Sequence, residues 1–258
     1  MNIVLLGSGN VATHLGRALV DAGHRIIQVY SPTQAHAMVL ADAVNARAID
    51  DLAVVEPNAD VYVIAVKDDA IAQVAAQLPP SSNGIVVHTA GSVAMEVFAG
   101  HAERYGVVYP VQTFSKAKAV DFSAVPVAVE ASDPATYTAL ARLGESLSTR
   151  VFPCDSGQRL SLHVAAVFAC NFANHLYAIG AGILREHGLD FGLIRPLILE
   201  TAEKVMKHEP EDVQTGPAVR NDIGTMQRHL ALLDGQPDLA ELYRKLSERI
   251  GRQSALKT

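Results

Sequence analysis

The stretch Met1-Asn2-Ile3-Val4-Leu5-Leu6-Gly7-Ser8-Gly9-Asn10-Val11-Ala12-Thr13-His14-Leu15-Gly16 decides the fold of this chain. Residues 3–6 are all apolar, as in a strand buried on both faces of a parallel sheet. Residues 11–22 have the apolar spacing of an amphipathic helix. The glycines and the alanine between them follow the pattern GxGxxA. In a turn between a strand and a helix, this pattern is typical of a site for the pyrophosphate of a dinucleotide.

Each small residue of this turn has a physical role. Gly7 permits the tight turn, Gly9 lets the backbone approach a pyrophosphate, and Ala12 lets the helix pack closely on the strand. The N-terminus of the helix adds free N–H groups and the positive end of the helix dipole. The residues expected to bind the cofactor here are Gly7, Ser8, Gly9, Asn10 and Val11. The alternative is a tight turn with a structural role alone.

The composition excludes several classes of function. The 258 residues, 49% of them hydrophobic, have room for one large or two modest domains. The net charge of −6 argues against nucleic acid or an anionic membrane as a partner. The cysteines, Cys154 and Cys170, suit neither a disulfide framework nor a metal site. We expect no signal peptide and no apolar run of transmembrane length, and therefore a cytoplasmic protein.

Strands and helices alternate over the first 154 residues. Strands are expected at 3–6, 25–30, 46–49, 61–66, 85–88, 106–109, 125–130 and 149–153, and helices at 11–22, 34–44, 70–78, 95–104 and 134–147. Later residues show helical periodicity alone, at 159–186, 191–207, 222–233 and 237–250. The sequence therefore predicts an α/β protein, with a Rossmann-type parallel sheet domain at 1–154 and an all-helical domain for substrate or dimerisation at 155–258. A loop at 79–84 and frayed final residues are also expected.

The end of the second strand selects between NAD and NADP, because a carboxylate there holds the 2′-hydroxyl of NAD. The segment Tyr30-Ser31-Pro32-Thr33 has no carboxylate. Ser31 and Thr33 could donate hydrogen bonds to a 2′-phosphate, so NADP is favoured over NAD as the cofactor. His36 could assist, but it fits a solvated helix position better.

Polar residues follow three further strands, at what should be the same edge of the sheet. Val66 and Asp68 follow the fourth strand, and Asp68 could cap the next helix, lie beside the nicotinamide ribose, or do both. Thr89 and Gly91 follow the fifth strand, in either the cofactor cleft or an ordinary turn. The sixth strand is followed by two expected substrate contacts, Gln112 and Thr113.

A polar stripe interrupts the apolar helix expected at 159–186. At about 100° per residue, His163, Cys170 and Asn174 fall within about 40° of one another, with Asn171 to one side. Buried polar side chains need partners, so the stripe is either a helix or dimer contact or part of a catalytic surface. We expect His163 to donate a proton or polarise the substrate, and Asn171 and Asn174 to orient it.

A second polar cluster lies near the third C-terminal helix. Asp222, Thr225 and His229 share one helix face, and Arg220 precedes them. In one interpretation Asp222 caps the helix and Arg220 is a solvated charge. In the other, Arg220 and Asp222 bind the substrate, Arg220 through a carboxylate or phosphate, and His229 acts as acid, base or orienting group.

With these residues in place, the chain resembles, over its whole length, the Rossmann-fold proteins with a helical C-terminal domain of unknown function. These are generally assigned as NADP-dependent oxidoreductases. Their N-terminal part is similar to the deazaflavin-dependent NADP oxidoreductase and pyrroline-5-carboxylate reductase group. The matching strings are Gly7-Ser8-Gly9-Asn10-Val11-Ala12, Ala65-Val66-Lys67-Asp68, His88-Thr89-Ala90-Gly91-Ser92, Tyr109-Pro110-Val111-Gln112-Thr113-Phe114-Ser115, Leu162-His163, Asn171-Phe172-Ala173-Asn174-His175 and Gly216-Pro217-Ala218-Val219-Arg220-Asn221-Asp222.

The resemblance implies a C-terminal domain of the 6-phosphogluconate dehydrogenase type, a homodimer formed through the C-terminal helices, and a substrate cleft between the domains. Two departures stand out. Relatives often carry an arginine where this chain has Pro32. The lysine on the long helix of related hydroxyacid dehydrogenases is absent, and His163 is the nearest polar candidate.

Three functions follow from these observations. The first is an NADP-dependent oxidoreductase that transfers a hydride to or from a small molecule with a C=O or C=N bond. The second is an NADP-binding sensor or regulatory protein without turnover. The third is an imine reductase of the pyrroline-5-carboxylate reductase type, although the C-terminal strings differ from those of that family.

Overall fold

The computed structural model describes residues 1–79, 84–115 and 118–255. The loop expected at 79–84 and the frayed end fall mostly outside these residues. The chain divides into two compact units, Met1–Leu176 and Tyr177–Thr258. The domain boundary predicted at residue 154 lies where the alternation of strands and helices ends. The two compact units instead meet between Leu176 and Tyr177, within a helix, so the predicted boundary stays a prediction.

In the described residues, an eight-stranded sheet organises the first unit. Its strands are β1 (Asn2–Leu6), β2 (Arg25–Tyr30), β3 (Arg47–Ile49), β4 (Val61–Ile64), β5 (Ile85–His88), β6 (Tyr105–Pro110), β7 (Val127–Ala131) and β8 (Val151–Pro153). They lie in the order β3-β2-β1-β4-β5-β6-β7-β8. Strands β1 to β6 pair in parallel, whereas β7 pairs antiparallel with β6 and β8 parallel with β7. The order 3-2-1-4-5-6 is that of a Rossmann fold, so the predicted α/β fold is confirmed.

The helices of the described residues are α1 (Asn10–Asp21), α2 (Gln34–Ala43), α3 (Ile71–Ala75), α4 (Pro134–Leu147), α5 (Ser156–Ala166), α6 (Ala173–Glu186), α7 (Arg195–Val205), α8 (Ile223–Leu232) and α9 (Pro237–Ala255). A π-helical segment, Val167–Phe172, joins α5 to α6. The result is one continuous helix, Ser156–Glu186, which we call the long helix.

The apolar run of β1 supplies both faces of the sheet. Ile3 and Leu5 belong to one hydrophobic core, and Val4 and Leu6 belong to the other. All four side chains are fully buried. Successive side chains of a strand point to opposite faces, so a strand covered on both sides needs a continuous apolar run. Leu15 of α1 packs in the first of these cores, which holds the helix close behind the glycine turn.

Several predicted helices differ from those in the structure. The segment 95–104 forms one 3₁₀ turn, Met95–Phe98, because Gly100 takes a φ of +81°, a conformation that ends a helix. The helix expected at 70–78 is shortened to α3, with a 3₁₀ turn, Asp68–Ala70, before it. A 3₁₀ turn, Phe191–Ile194, likewise precedes α7, and α9 continues to Ala255.

The first turn of α5 is bound tightly to the sheet. Asp155 forms a capping box at the N-terminus of the helix. Arg159 is 1% exposed, pairs with Glu130 of β7 and donates to the carbonyl of Val93. The hydroxyl of Ser156 donates to the same carboxylate at 2.9 Å. These bonds fix where α5 leaves the sheet, and hence where its later side chains lie.

The long helix also carries an exposed apolar stripe. Side chains between 42% and 66% exposed recur every fourth residue: Leu160, Val164, Phe168, Phe172 and Leu176. By length and composition alone the long helix is apolar enough to cross a membrane, since an 18-residue window within it has a mean hydropathy of 1.3. The expectation that no apolar run reaches this length is therefore wrong.

Candidate active site

The glycine turn after β1 forms an open cradle at the carboxyl edge of the sheet. Gly7 has a φ of +133°, and a Cβ on it would lie 2.2 Å from the carbonyl oxygen of Ala65, so this position requires glycine. A Cβ on Gly9 would meet nothing within 4 Å. Gly9 is the N-cap of α1 and provides no side-chain cap for its first N–H groups. Open space, available N–H groups and the helix dipole together fit a pyrophosphate.

The cradle belongs to a groove of about 640 Å³ that opens between the ends of β1 and β4. The strand order reverses between these two strands, and open α/β sheets bind their ligands at such a point. The predicted cofactor residues that line the groove are Gly7, Ser8, Gly9, Asn10, Val11, Ser31, Val66, Asp68 and Thr89. Gly91, also predicted, is not among the lining residues and instead contacts the long helix.

The part of the groove beside β2 is where an adenosine ribose would lie. Tyr30, Ser31 and Pro32 line it. Ser31 is 4% exposed, and its hydroxyl oxygen accepts a hydrogen bond from the backbone N–H of Thr33 at 3.4 Å. His36 is exposed on α2, as expected for a solvated helix residue. Sequence reasoning missed further lining residues from the segments after β3 and β4, namely Leu52, Gln73, Val74 and Gln77.

Asp68 bonds to another loop and does not cap a helix. The N-cap of the turn Asp68–Ala70 is Lys67, and no side chain caps this turn. The carboxylate of Asp68 instead accepts a short hydrogen bond from the hydroxyl of Ser92. The capping interpretation is therefore wrong for Asp68. The bond joins the segments that follow β4 and β5, and it leaves a negative charge at the groove.

His88 supports the turn after β5 from within the core. It is fully buried, and its Nδ1 accepts a hydrogen bond from the backbone N–H of Ala90 at 3.1 Å. Its ring packs against Phe98 with centroids 5.4 Å apart. Burial, and then the charge of Arg159, lower the pKa of His88 to about 4. His88 is therefore a neutral support for Thr89 and Ala90, which line the groove.

Gly91 allows His163 to reach this edge of the sheet. A Cβ on Gly91 would lie 2.7 Å from both Cγ and Nδ1 of the His163 ring, so any larger residue would displace the imidazole. Thr89 and Ala90, immediately before Gly91, line the groove. The structure thus places the half-buried side chain of His163 next to the end of the cofactor groove.

Tyr109, the second-last residue of β6, contacts the same imidazole. Its hydroxyl oxygen lies 3.3 Å from Nδ1 of His163, and the two rings meet edge to face at 75°. Tyr109 is 8% exposed, and burial raises the pKa of its hydroxyl. No role for Tyr109 follows from the sequence, because the two partners are 54 residues apart and no local pattern links them.

The structure does not bring Asn171 and Asn174 beside His163. At about 1.5 Å per residue they lie roughly 12 and 16 Å farther along the helix axis. Both are exposed. The predicted 40° stripe, which included Cys170, assumed a regular α-helix and is wrong, because the segment Val167–Phe172 is π-helical and turns by a different angle per residue.

The loop after β6 lies beside the glycine turn. The side-chain amide of Asn10 donates to the carbonyl of Phe114 at 3.0 Å. Gln112 and Thr113 are exposed, and the side-chain oxygen of Gln112 accepts from the N–H of Thr113 at 2.8 Å. Both predicted substrate contacts are therefore at the same edge of the sheet as the cradle.

In the second unit Asp222 caps α8. Its carboxylate accepts a hydrogen bond from the backbone N–H of Thr225 at 3.0 Å, and hydrogen bonds from Thr225 lower the pKa of Asp222. Arg220 is exposed. Nδ1 of His229 lies 2.8 Å from the hydroxyl of Tyr243. The cap interpretation thus fits Asp222, and contacts of Arg220, Asp222 and His229 with a substrate stay predictions.

Two family models match successive parts of the chain. Residues 2–92 match the NADP oxidoreductases described as coenzyme F420-dependent, and residues 125–250 match a domain of unknown function, DUF2520. The sequence matches no curated protein. Within the described residues, no group of three or more His, Cys, Asp or Glu side chains could hold a metal ion.

A solved structure shares both parts. The Bacteroides fragilis protein BF3122, assigned as an NADP oxidoreductase, is 45% identical to this chain. The superposition has a TM-score of 0.90 and covers 97% of this chain and 98% of BF3122. This chain belongs to the same family of NADP oxidoreductases. The resemblance inferred from the sequence strings is therefore confirmed, and so is NADP as the cofactor of the family.

Two more distant structures share the fold of this NADP oxidoreductase. A reductive aminase from Aspergillus terreus, solved with NADPH and ethyl-5-oxohexanoate, is 16% identical with a TM-score of 0.71, over 99% of this chain and 97% of the aminase. A pyrroline-5-carboxylate reductase from Coxiella burnetii is 20% identical with a TM-score of 0.56, over 98% of this chain and 97% of the reductase. At these identities the likeness shows the fold alone.

Proposed function

We propose that this oxidoreductase transfers a hydride between NADP and a small substrate with a C=O or C=N bond, with His163 handling the accompanying proton. The observation that carries the proposal is the contact between Gly91 and His163 at the end of the groove. The cofactor cradle and a titratable side chain meet at one edge of one sheet. A reduction needs both a hydride donor and a proton donor, and this arrangement provides for each.

When bound, NADPH supplies the hydride, and the residues of the chain do the rest. The N–H groups at the start of α1 bind the pyrophosphate, and Gly9 leaves room for it. Ser31 and the adjacent backbone bind the phosphorylated ribose. As the carbon of the C=O or C=N bond gains the hydride, the oxygen or nitrogen bonded to it takes a proton from the imidazole of His163. In the direction of oxidation, the same ring accepts this proton.

The remaining predicted residues have different degrees of support as substrate contacts. Gln112 and Thr113 are supported by their exposure at the edge that carries the cradle. Asn171 and Asn174 would act on a part of the substrate far from the reacting bond, because they lie farther along the long helix. Arg220 supplies an exposed positive charge for an anionic substrate group, and Asp222 holds the start of the helix beside it.

Steady-state kinetics of a His163→Ala variant test the catalytic role. NADPH oxidation is followed with a panel of small aldehydes, ketones and ketone–amine mixtures, the last to supply imines. We expect kcat to fall by roughly 100-fold, as is usual for loss of a general acid, with the Kd for NADPH unchanged. His101→Ala, at an exposed histidine of the first unit, is the matched control. A higher Kd for NADPH in His163→Ala with kcat unchanged would overturn the assignment. If the wild type binds NADPH but turns over no substrate of the panel, the sensor function is favoured.

We further propose that a second copy of the chain covers the stripe on the long helix. The exposed area includes two phenylalanines that pack against each other edge to face, Phe168 and Phe172. A lipid environment is disfavoured because the same helix carries His163, Asn171 and Asn174, and such groups are costly within a bilayer. A homodimer would bury the stripe while leaving these polar side chains available.

Light scattering on the purified chain tests the homodimer. We expect twice the mass of one chain for the wild type and a dissociated species for Phe168→Asp. Met38→Asp, which places the same charge at a half-exposed apolar residue of α2, should leave the mass unchanged. A monomeric wild type at micromolar concentration, or recovery of the protein with membranes, would contradict the proposal.

A further inference from the structure

Within the described residues, Tyr109 is the hydrogen-bond partner found for the imidazole of His163. The hydroxyl oxygen is 3.3 Å from Nδ1, and the ring centroids are 6.2 Å apart in an edge-to-face arrangement. Tyr109 is carried by β6 and His163 by α5, so the contact joins the sheet to the long helix. Gly91 packs on the same ring from another side. The imidazole is therefore held on two sides.

The surroundings determine which group donates the proton of this hydrogen bond. Among the described residues, Nδ1 of His163 is the acceptor found for the hydroxyl of Tyr109. Burial raises the pKa of Tyr109, the carboxylate of Asp68 and the thiol of Cys154 act in the same direction, and the charge of Arg159 opposes them. The phenol therefore keeps its proton near neutral pH. A buried hydroxyl proton needs an acceptor, and a neutral imidazole offers one at its unprotonated nitrogen.

We propose that Tyr109 is a positioning residue that donates its hydroxyl proton to Nδ1 of His163 and so holds the imidazole in the tautomer with its proton on Nε2. This inference rests on the proposed function of His163. It assigns Nε2–H, the nitrogen that faces away from Tyr109, as the group that meets the substrate. It also explains why β6 carries a tyrosine hydroxyl one residue before its end, at a site that is otherwise part of a hydrophobic core.

The proton balance of the reaction follows from this arrangement. During reduction, Nε2–H gives its proton to the oxygen or nitrogen of the substrate while the hydride arrives at the carbon. The hydroxyl proton of Tyr109 moves onto Nδ1, so the imidazole stays neutral throughout. Before the next turnover Nε2 takes a proton from water and Nδ1 returns its proton to the phenolate, which restores the hydroxyl of Tyr109 and the Nε2–H tautomer. Arg159 is the nearby charge that favours the transient phenolate. Oxidation follows the same steps in reverse.

Nitrogen-15 NMR of the histidine side chains tests the tautomer without any substrate. The resonances of His163 are assigned by their loss in His163→Gln. We expect the wild type to show a proton on Nε2 and a hydrogen-bonded acceptor at Nδ1. In Tyr109→Phe, the Nδ1 resonance should move to the position of an acceptor without a donor. A proton on Nδ1 in the wild type, or an Nδ1 resonance unchanged in Tyr109→Phe, would overturn the proposal.

Kinetics provide the second readout. Tyr109→Phe should lower kcat by roughly tenfold to 100-fold, no more than the lower end of the range for loss of a general acid itself, with little change in the KM for NADPH. Tyr105→Phe removes the hydroxyl of another tyrosine from the same strand, and it should change neither kcat nor the His163 resonances. An equal loss of kcat in both variants would contradict the positioning role.

The two proposals fail in different ways. If His163→Ala keeps full turnover, the proposed catalytic function fails, even if the NMR spectrum shows the expected tautomer. If His163→Ala abolishes turnover but Tyr109→Phe leaves both kcat and the Nδ1 resonance unchanged, only the positioning role of Tyr109 fails.

Discussion

Replacing the buried histidine at the end of β5 should change how the stability of the protein depends on pH. His88 is fully buried and packs against Phe98. Its Nδ1 accepts a hydrogen bond from Ala90, which requires the neutral ring. Burial is the main reason that its pKa falls from the ordinary 6.5 to about 4. In an unfolded chain the ring is solvated, so its pKa returns to the ordinary value.

The sign and size of the effect follow from linkage. Between pH 6.5 and pH 4 the unfolded chain binds a proton at His88 that the folded chain does not, so the free energy of unfolding decreases as the pH falls. Each pH unit in this window changes it by about 1.4 kcal/mol. The folded protein should therefore lose about 2 kcal/mol by pH 5 and roughly 3 kcal/mol by pH 4 from His88 alone. Above pH 6.5 the contribution is fully present.

Urea unfolding, followed by circular dichroism at pH values from 4 to 8, measures this dependence. His88→Asn is the informative variant, because an amide oxygen can accept the hydrogen bond from Ala90 but does not titrate. Burial and the nearby N-terminal amino group also lower the pKa of His24, so the difference between wild type and variant isolates His88. A difference that stays constant from pH 7 to pH 4 would refute the reasoning.

Three further predictions concern the same edge of the sheet. Gly91→Ala places a methyl group 2.7 Å from the imidazole of His163, so under the proposed function kcat should fall by about 100-fold, as for an error of roughly 1 Å in position, with NADPH binding unchanged by calorimetry. Arg159→Met leaves the carboxylate of Glu130, 12% exposed, without its charged partner and should cost up to about 3–5 kcal/mol in urea unfolding, part of which adding Glu130→Gln should restore. Gly9→Val should weaken NADPH binding and leave the melting temperature unchanged, whereas Gly7→Ala, at 2.2 Å from a carbonyl oxygen, should lower the melting temperature.

Local sequence was sufficient for the sheet and for the cofactor groove. A strand buried on both faces must be apolar throughout, so β1 is evident from its residue types. A turn position where a Cβ would lie 2.2 Å from a neighbouring carbonyl oxygen must be glycine, so Gly7 is equally evident. The ends of parallel strands meet at one edge, so Ser31, Asp68 and Thr89 could be grouped there before any coordinates were known.

Interactions across the fold were not accessible in this way. Asp68 has the residue type and the position of a helix cap, but Ser92, 24 residues later, supplies a donor that the sequence does not link to it. The segment 95–104 has helical periodicity, yet Gly100 in a left-handed conformation limits it to one turn. At Asp68 a tertiary hydrogen bond outweighs the weak local propensity to cap a helix, and at Gly100 the backbone conformation outweighs the weak propensity to continue one.

The long helix illustrates why the catalytic assignment needs coordinates. Six π-helical residues, Val167–Phe172, change the rotation between His163 and the side chains beyond the segment, so no fixed angle per residue could group His163 with Asn174. The position of His163 itself is set before this segment, by the bonds that attach Arg159 to Glu130 and Val93. His163 is only one turn beyond Arg159, so the sheet that carries the cofactor cradle also determines where the imidazole lies. The cofactor cradle and the proposed proton donor therefore lie within one compact unit. Under the proposed function, changes at Arg159 should disturb catalysis more than changes at the exposed asparagines.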